Sequence, residues 1–276
     1  MSVLRLLFLL SILSLAVLVA PATAEYVQVP ESSHDPSILR IDETSFLGAK
    51  VRGDFLLSDG AGREFTLESR IDSKPLILVF SYYECDGVCP TVNATMKEML
   101  SSIEGHVPGR DFSVLTLSFD KTDDALEMGM FEEKVGFPGP LEGAWKVAIM
   151  KNPEEIEELT KSVGFNFFWS NTDKVFAHPN VFIILTADGR VSRYLYGAQM
   201  QKKDLGIAIA EAGFGKTGRS KIKDLTDLYL IACYSYNFEE GSYTINYPFF
   251  IGAGSFFLSA GAIVISILVF KKRARR

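Results

Sequence analysis

The sequence predicts an α/β domain followed by one membrane-spanning helix. Apolar runs of strand length near 75–83, 112–119 and 145–149 alternate with helical stretches, the pattern of strands joined by crossover helices. Two β-rich arms over 181–196 flank Asp188-Gly189, a strong hairpin signal. Phe249 to Phe270 carries no charge and is long enough to cross a bilayer core of about 30 Å.

In chain order, residues 1–24 read as a secretory signal peptide. Arg5 supplies the positive start, Leu6 to Val19 the apolar centre, and Ala22-Thr23-Ala24 the cleavage site. Residues 25–45 are a polar lead-in with Pro30 and Pro36. Phe55–Leu67 holds two short apolar arms around Asp59-Gly60, an N-terminal hairpin. The strand at 75–83 follows, then a helix from Pro90 to Ile103, with proline in a first turn that needs no N–H.

Phe112–Phe119 is the next strand, and Thr122–Val135 a helix capped by Thr122 or Asp123. After the strand 145–149, Asn152-Pro153 opens an acidic helix to Val163 whose Glu154 and Glu155 suit the helix dipole. Helices at Lys203–Glu211 and Lys223–Ala232 follow the 181–196 hairpin. The globular domain is set at 46–236, a linker at 237–248, the span at 249–270 and a basic tail at 271–276. That tail keeps the C-terminus in the cytoplasm by the positive-inside rule.

Charge narrows the partners. Of 28 Lys plus Arg, Arg5 and five tail residues lie outside the exported part, leaving 22 against 34 acidic residues and a net charge of about −12. That excludes nucleic acid as a partner and leaves cations and basic proteins open. Three cysteines are too few for a disulfide-stapled scaffold, so their role is chemical.

Cys85-Asp86-Gly87-Val88-Cys89-Pro90 sits between a buried strand and a helix. With the βαβ–ββα order, this gives a thioredoxin-like plan, with the site beyond the carboxyl ends of the central strands. Three residues separate the sulfurs where the redox motif has two. A wider pair can splay two thiolates around a soft metal, and His178 offers a third ligand. The same pair can also act as attacking and resolving thiols. A peroxiredoxin-like reading requires Thr-x-x-Cys, and Tyr82-Tyr83-Glu84-Cys85 lacks that threonine. Asp120, at the end of its strand, is a candidate either to orient His178 or to cap the next helix. Tyr82 and Tyr83 alternate between core and site wall, His34 and His106 are surface residues, and Cys233 packs as a small hydrophobe.

Three segments carry a family resemblance: Tyr82-Tyr83-Glu84-Cys85-x-x-x-Cys89-Pro90, Leu117-Ser118-Phe119-Asp120 and Ala177-His178-Pro179. Over Phe55–Ala212 the chain resembles the Sco/SenC copper chaperones of cytochrome c oxidase assembly, in a bacterial branch with a C-terminal anchor. It departs from many relatives at Asp86-Gly87 and at Lys121, where they carry prolines.

The resemblance implies a thioredoxin-like fold binding copper, as Cu(I) or alternatively Cu(II), through Cys85, Cys89 and His178. It also implies a copper donor protein, the copper-accepting oxidase subunit as partner, and a periplasmic domain tethered to the bacterial inner membrane. Such a protein transfers metal and needs no turnover chemistry. The alternative is a thiol–disulfide oxidoreductase that reduces the oxidase subunit's copper-ligand cysteines.

Overall fold

A computed structural model describes residues 40–137, 141–197, 200–217, 234–237 and 242–274. The signal peptide, His34, the helix expected at 223–232 and Cys233 lie outside these residues. Strands are β1 (Leu56–Ser58), β2 (Glu64–Thr66), β3 (Leu76–Ser81), β4 (Ser113–Ser118), β5 (Trp145–Met150), β6 (Phe168–Ser170), β7 (Val175–Ala177), β8 (Val181–Leu185), β9 (Val191–Tyr196), β10 (Tyr234–Asn237) and β11 (Ser242–Ile245). Helices are α1 (Glu43–Phe46), α2 (Glu68–Ile71), α3 (Val88–Ser101), α4 (Ala125–Val135), α5 (Ile156–Ser162), α6 (Lys202–Gly213) and α7 (Tyr247–Ala274).

Seven strands form one sheet in the order β2-β1-β5-β4-β3-β8-β9. β3, β4 and β5 run parallel, joined through α3 and α4, while β8 pairs antiparallel with β3 and with β9. This is the thioredoxin-like arrangement, with the β1–β2 hairpin added at the β5 edge. β3 is central and buried at all six positions, which explains its unbroken apolar sequence. Its alternate residues feed two cores. Leu76, Leu78 and Phe80 face the layer that contains both cysteines, while Ile77 and Val79 face the layer with Met96, Leu205 and Ala208.

The Asp188-Gly189 hairpin forms as expected. Gly189 adopts φ +73° and its N–H bonds the Thr186 carbonyl at 2.8 Å, a turn that a residue with Cβ would strain.

The cap of α4 differs from expectation. It is Asp124, whose carboxylate accepts from Leu126 N at 2.6 Å, while Glu127 reaches back to Asp124 N at 3.0 Å in a capping box. The acidic helix expected from 152 begins as a 3₁₀ turn at Pro153–Glu155 before α5. The segment expected as a linker at 237–248 contains β11, paired with β10, and its Tyr243 is buried. α7 spans the expected 249–270 and extends beyond it at both ends. It is long and apolar enough to cross a membrane, with Ile251, Phe256, Phe257 and Leu258 exposed.

Candidate metal centre

The site is built at the carboxyl end of β3. After Ser81 the chain turns, with Cys85 N–H donating to the Tyr82 carbonyl at 3.4 Å, and α3 begins at Val88 with Cys89 in its first turn. Tyr83 anchors this turn. It is 1 % exposed, its N–H donates to Asp123 Oδ2 at 2.7 Å, and its hydroxyl donates to the Thr116 carbonyl at 3.3 Å and to that of Ala148. Tyr82 faces the site instead, so the two tyrosines divide between core and wall as the alternation predicts.

His178 arrives from the far side of the sequence. The β6–β7 hairpin ends at Ala177, β8 starts at Val181, and the short segment between them carries the imidazole to the cysteines. Its Nε2 lies 3.7 Å from Cys89 Sγ. Nδ1 lies 3.0 Å from the Pro179 carbonyl, which can only accept. Nδ1 therefore carries the proton, and in the neutral ring Nε2 presents its lone pair to the sulfur. Burial lowers the His178 pKa, opposed by the Pro179 hydrogen bond and by the charge on Cys85, which favours that neutral ring.

Cys85 and Cys89 are both free and both buried. The Cys85 pKa is lowered to about 5, first by a hydrogen bond from Cys89, against the opposing effect of burial and with help from backbone N–H groups and Tyr82. Cys89 is pushed far upward by the same hydrogen bond, by burial and by the charge on Cys85. The pair thus holds one proton between its two sulfurs at neutral pH, with Cys85 as the thiolate.

Aromatic rings enclose the imidazole. Phe119 lies 5.0 Å, Phe165 5.8 Å and Tyr82 6.2 Å from it, centroid to centroid, the last edge-on at 90°. Phe176 packs against both Tyr82 and Phe119. Phe165 and Phe176 are site residues that sequence reasoning missed. The dense Phe165-Asn166-Phe167-Phe168-Trp169 stretch was the signal for the first.

Asp120 does not reach His178 in any hydrogen bond. Its Oδ1 accepts from the Thr122 N–H at 2.9 Å and from the Thr122 hydroxyl at 2.7 Å, closing a local turn. The buried carboxylate beside the site is that of Asp123. Asp86 points outward to Lys134 at 2.7 Å, and His106 lies apart from the site, beside Gly206 of α6.

Soft sulfur and imidazole nitrogen in an apolar, water-poor setting form a donor set suited to a soft cation. Among the described residues no three Cys, His, Asp or Glu side chains are already gathered as a ligand set. Cys85 faces Cys89, so an ion held by all three groups would have to draw the Cys85 sulfur toward the Cys89–His178 contact. Clefts of about 610 Å³, lined by Lys50, Glu68 and Asp188, and about 520 Å³, lined by Asp59, Glu132 and Trp145, contain none of the three residues.

A SCO1/SenC family profile matches residues 44–212, which include both cysteines and His178. The chain belongs to the SCO1/SenC family. Its fold matches a crystal structure from Aquifex aeolicus VF5, provisionally described as an electron transfer protein. That match has 28 % identity and a TM-score of 0.56, and covers 64 % of this chain and 99 % of that one. A SCO1/SenC family lipoprotein from Bacillus anthracis str. Ames shares the fold at 17 % identity and a TM-score of 0.50, covering 60 % of this chain and 94 % of that one. So does BsSco, a member of the Sco family of cytochrome c oxidase assembly proteins in which a disulfide switch was identified. It matches at 18 % identity and a TM-score of 0.50, covering 61 % of this chain and 96 % of that one. Among curated proteins no sequence matches the chain.

Proposed function

We propose that this SCO1/SenC protein is a membrane-anchored copper metallochaperone. It binds copper through Cys85, Cys89 and His178 and delivers it to the copper site of cytochrome c oxidase during assembly. The observation that carries this reading is the approach of His178 Nε2 to Cys89 Sγ, 3.7 Å across 89 residues of sequence, with the lone pair turned to the sulfur. Thiolates suit Cu(I), imidazole is an acceptable third ligand, and a small ligand set leaves room for an acceptor's sulfur to exchange in. Family membership and the oxidase-assembly role of BsSco support the choice of acceptor. The 1–24 segment and the apolar α7 support a domain exported to the periplasm and tethered to the inner membrane, with the basic tail inside.

A second reading, thiol–disulfide exchange on the acceptor's copper-ligand cysteines, is favoured by one observation. Cys89 hydrogen-bonds Cys85 and lowers its pKa to about 5, the relation of a resolving to an attacking thiol. The deciding experiment loads the detergent-solubilised full chain with copper under reducing conditions and measures bound metal. One copper per chain, lost in both His178→Ala and Cys85→Ser, supports the metallochaperone. Wild-type chain without copper, and His178→Ala retaining full disulfide exchange, would assign the oxidoreductase instead.

A further inference from the structure

Asn93 lies one helical turn after Cys89 in α3 and is 0 % exposed. Its hydrogen bonds fix the orientation of its amide. The Trp145 indole can only donate, and it does so to Thr116 Oγ1 at 3.0 Å. The Thr116 hydroxyl proton therefore goes to Asn93 Oδ1, at 2.7 Å. The amide nitrogen is left to donate in two directions, to Ser81 Oγ at 3.0 Å and to the Cys89 carbonyl at 2.9 Å. Ser81 is the last residue of β3, just before the turn into Cys85, and the Cys89 peptide lies in the first turn of α3. One buried side chain thus holds both ends of the segment that carries the two sulfurs. Through Thr116 and Trp145 it anchors them to β4 and β5.

We propose that Asn93 is a positioning residue that holds the Cys85–Cys89 segment in its open dithiol form and biases the pair against disulfide closure. Closure brings the sulfurs to about 2.05 Å and the two Cβ atoms to about 3.5–4.5 Å. Both thiols are free in this structure, so closure draws the sulfurs nearer than they stand, and the Cys89 peptide and the Ser81 hydroxyl at the end of β3 are the points at which Asn93 restrains the segment. Leaving its partners unsatisfied in the core makes the restraint costly to break. The role rests on the proposed copper function only for its purpose, which is to keep both sulfurs available to a metal.

The test is the thiol–disulfide equilibrium of the metal-free full chain against glutathione. In this exchange Cys85 and Cys89 give up two electrons and their one shared proton to form one S–S bond, and one glutathione disulfide takes up the two electrons, that proton and one more from solvent to become two glutathione thiols. Asn93→Leu is expected to shift the equilibrium about tenfold toward the protein disulfide, ~30 mV for a two-electron couple. Ser81→Ala removes a single bond with little threat to folding and is expected to shift it less, in the same direction.

Ile209→Ala truncates a side chain buried in the layer away from the cysteines and serves as the control for lost stability. It is expected to lower Tm and leave the equilibrium unchanged. Asn93→Leu and Ser81→Ala both within twofold of wild type, or a shift in Ile209→Ala equal to theirs, would overturn the proposal. Because no metal is present, failure of the wild-type chain to bind copper would strike the function proposed above and not this equilibrium.

Discussion

Asp123 gives the sharpest quantitative test of how the site is held. Its side chain is buried, Oδ2 accepts from Tyr83 N–H and from the Ser118 hydroxyl, and Oδ1 is buried with no hydrogen-bond partner among the described residues. Burial raises its pKa from 3.8 to about 6, despite the two hydrogen bonds that favour the charged form. A carboxylate whose folded pKa lies above its unfolded value is penalised when ionised. Stability therefore rises as pH falls through 6, and the gain is complete below 3.8. At about 1.36 kcal/mol per pH unit, the ionised group costs ~3 kcal/mol at pH 8.

Asn at this position mimics the protonated acid, keeps an oxygen for Tyr83 and Ser118, and carries no charge to desolvate. Asp123→Asn is therefore expected to stabilise the chain by about 2–3 kcal/mol at pH 8, with the gain fading to near zero by pH 4. Denaturant titrations of both proteins across that range, followed by near-UV circular dichroism, measure the difference. A variant less stable than wild type at pH 8, or a difference that does not change with pH, would refute the reasoning.

Three further outcomes follow from the same structure. Iodoacetamide should modify Cys85 before Cys89 at pH 7, with a rate that titrates near pH 5. Cys89→Ala should move that midpoint upward by removing the hydrogen-bond donor, as peptide mapping by mass spectrometry would record. Leu78→Ala, fully buried in the central strand, should lose about 2–5 kcal/mol of stability in denaturant titration. Asp86→Asn removes an exposed ion pair to Lys134 and should leave both Tm and copper stoichiometry unchanged; lost copper would mean that this contact shapes the cysteine loop.

Much of this architecture was legible in the sequence because local and tertiary signals agree. β3 is buried on both faces, so its apolar run needed no periodicity, and Asp188-Gly189 states its own turn. The Cys89–His178 encounter was legible because the fold brings the segment before the closing hairpin past the cysteine turn.

Other features depend on contacts that no local pattern reports. Thr122 and Asp123 are the sequence's candidates for the cap of α4, and the next polar residue, Asp124, takes it. The choice fell on Asp124 because Glu127 stands three residues on, while Asp123 was drawn inward by Tyr83 and Ser118. β11 resembles linker because its strand character comes from Tyr243. That residue is buried, with its N–H on Asp204 and its hydroxyl on Glu211. Phe165 belongs to aromatic-rich sequence without helical or strand alternation and Phe176 to a three-residue strand, and only the closed fold turns Phe165 toward His178 and packs Phe176 on Tyr82 and Phe119.

The single proton shared by Cys85 and Cys89 sets the electrical character of cargo loading in the proposed function. With Cys85 already a thiolate and His178 neutral, the empty site carries one negative charge. Full ligation by both sulfurs displaces the Cys89 proton, so a monovalent cation enters as one proton leaves. The pocket therefore carries one negative charge both before and after, and loading leaves the charge that the surrounding phenylalanines face unchanged. Loading and release are thereby an exchange of one cation for another, and solution acidity acts as a counterweight on the direction of transfer.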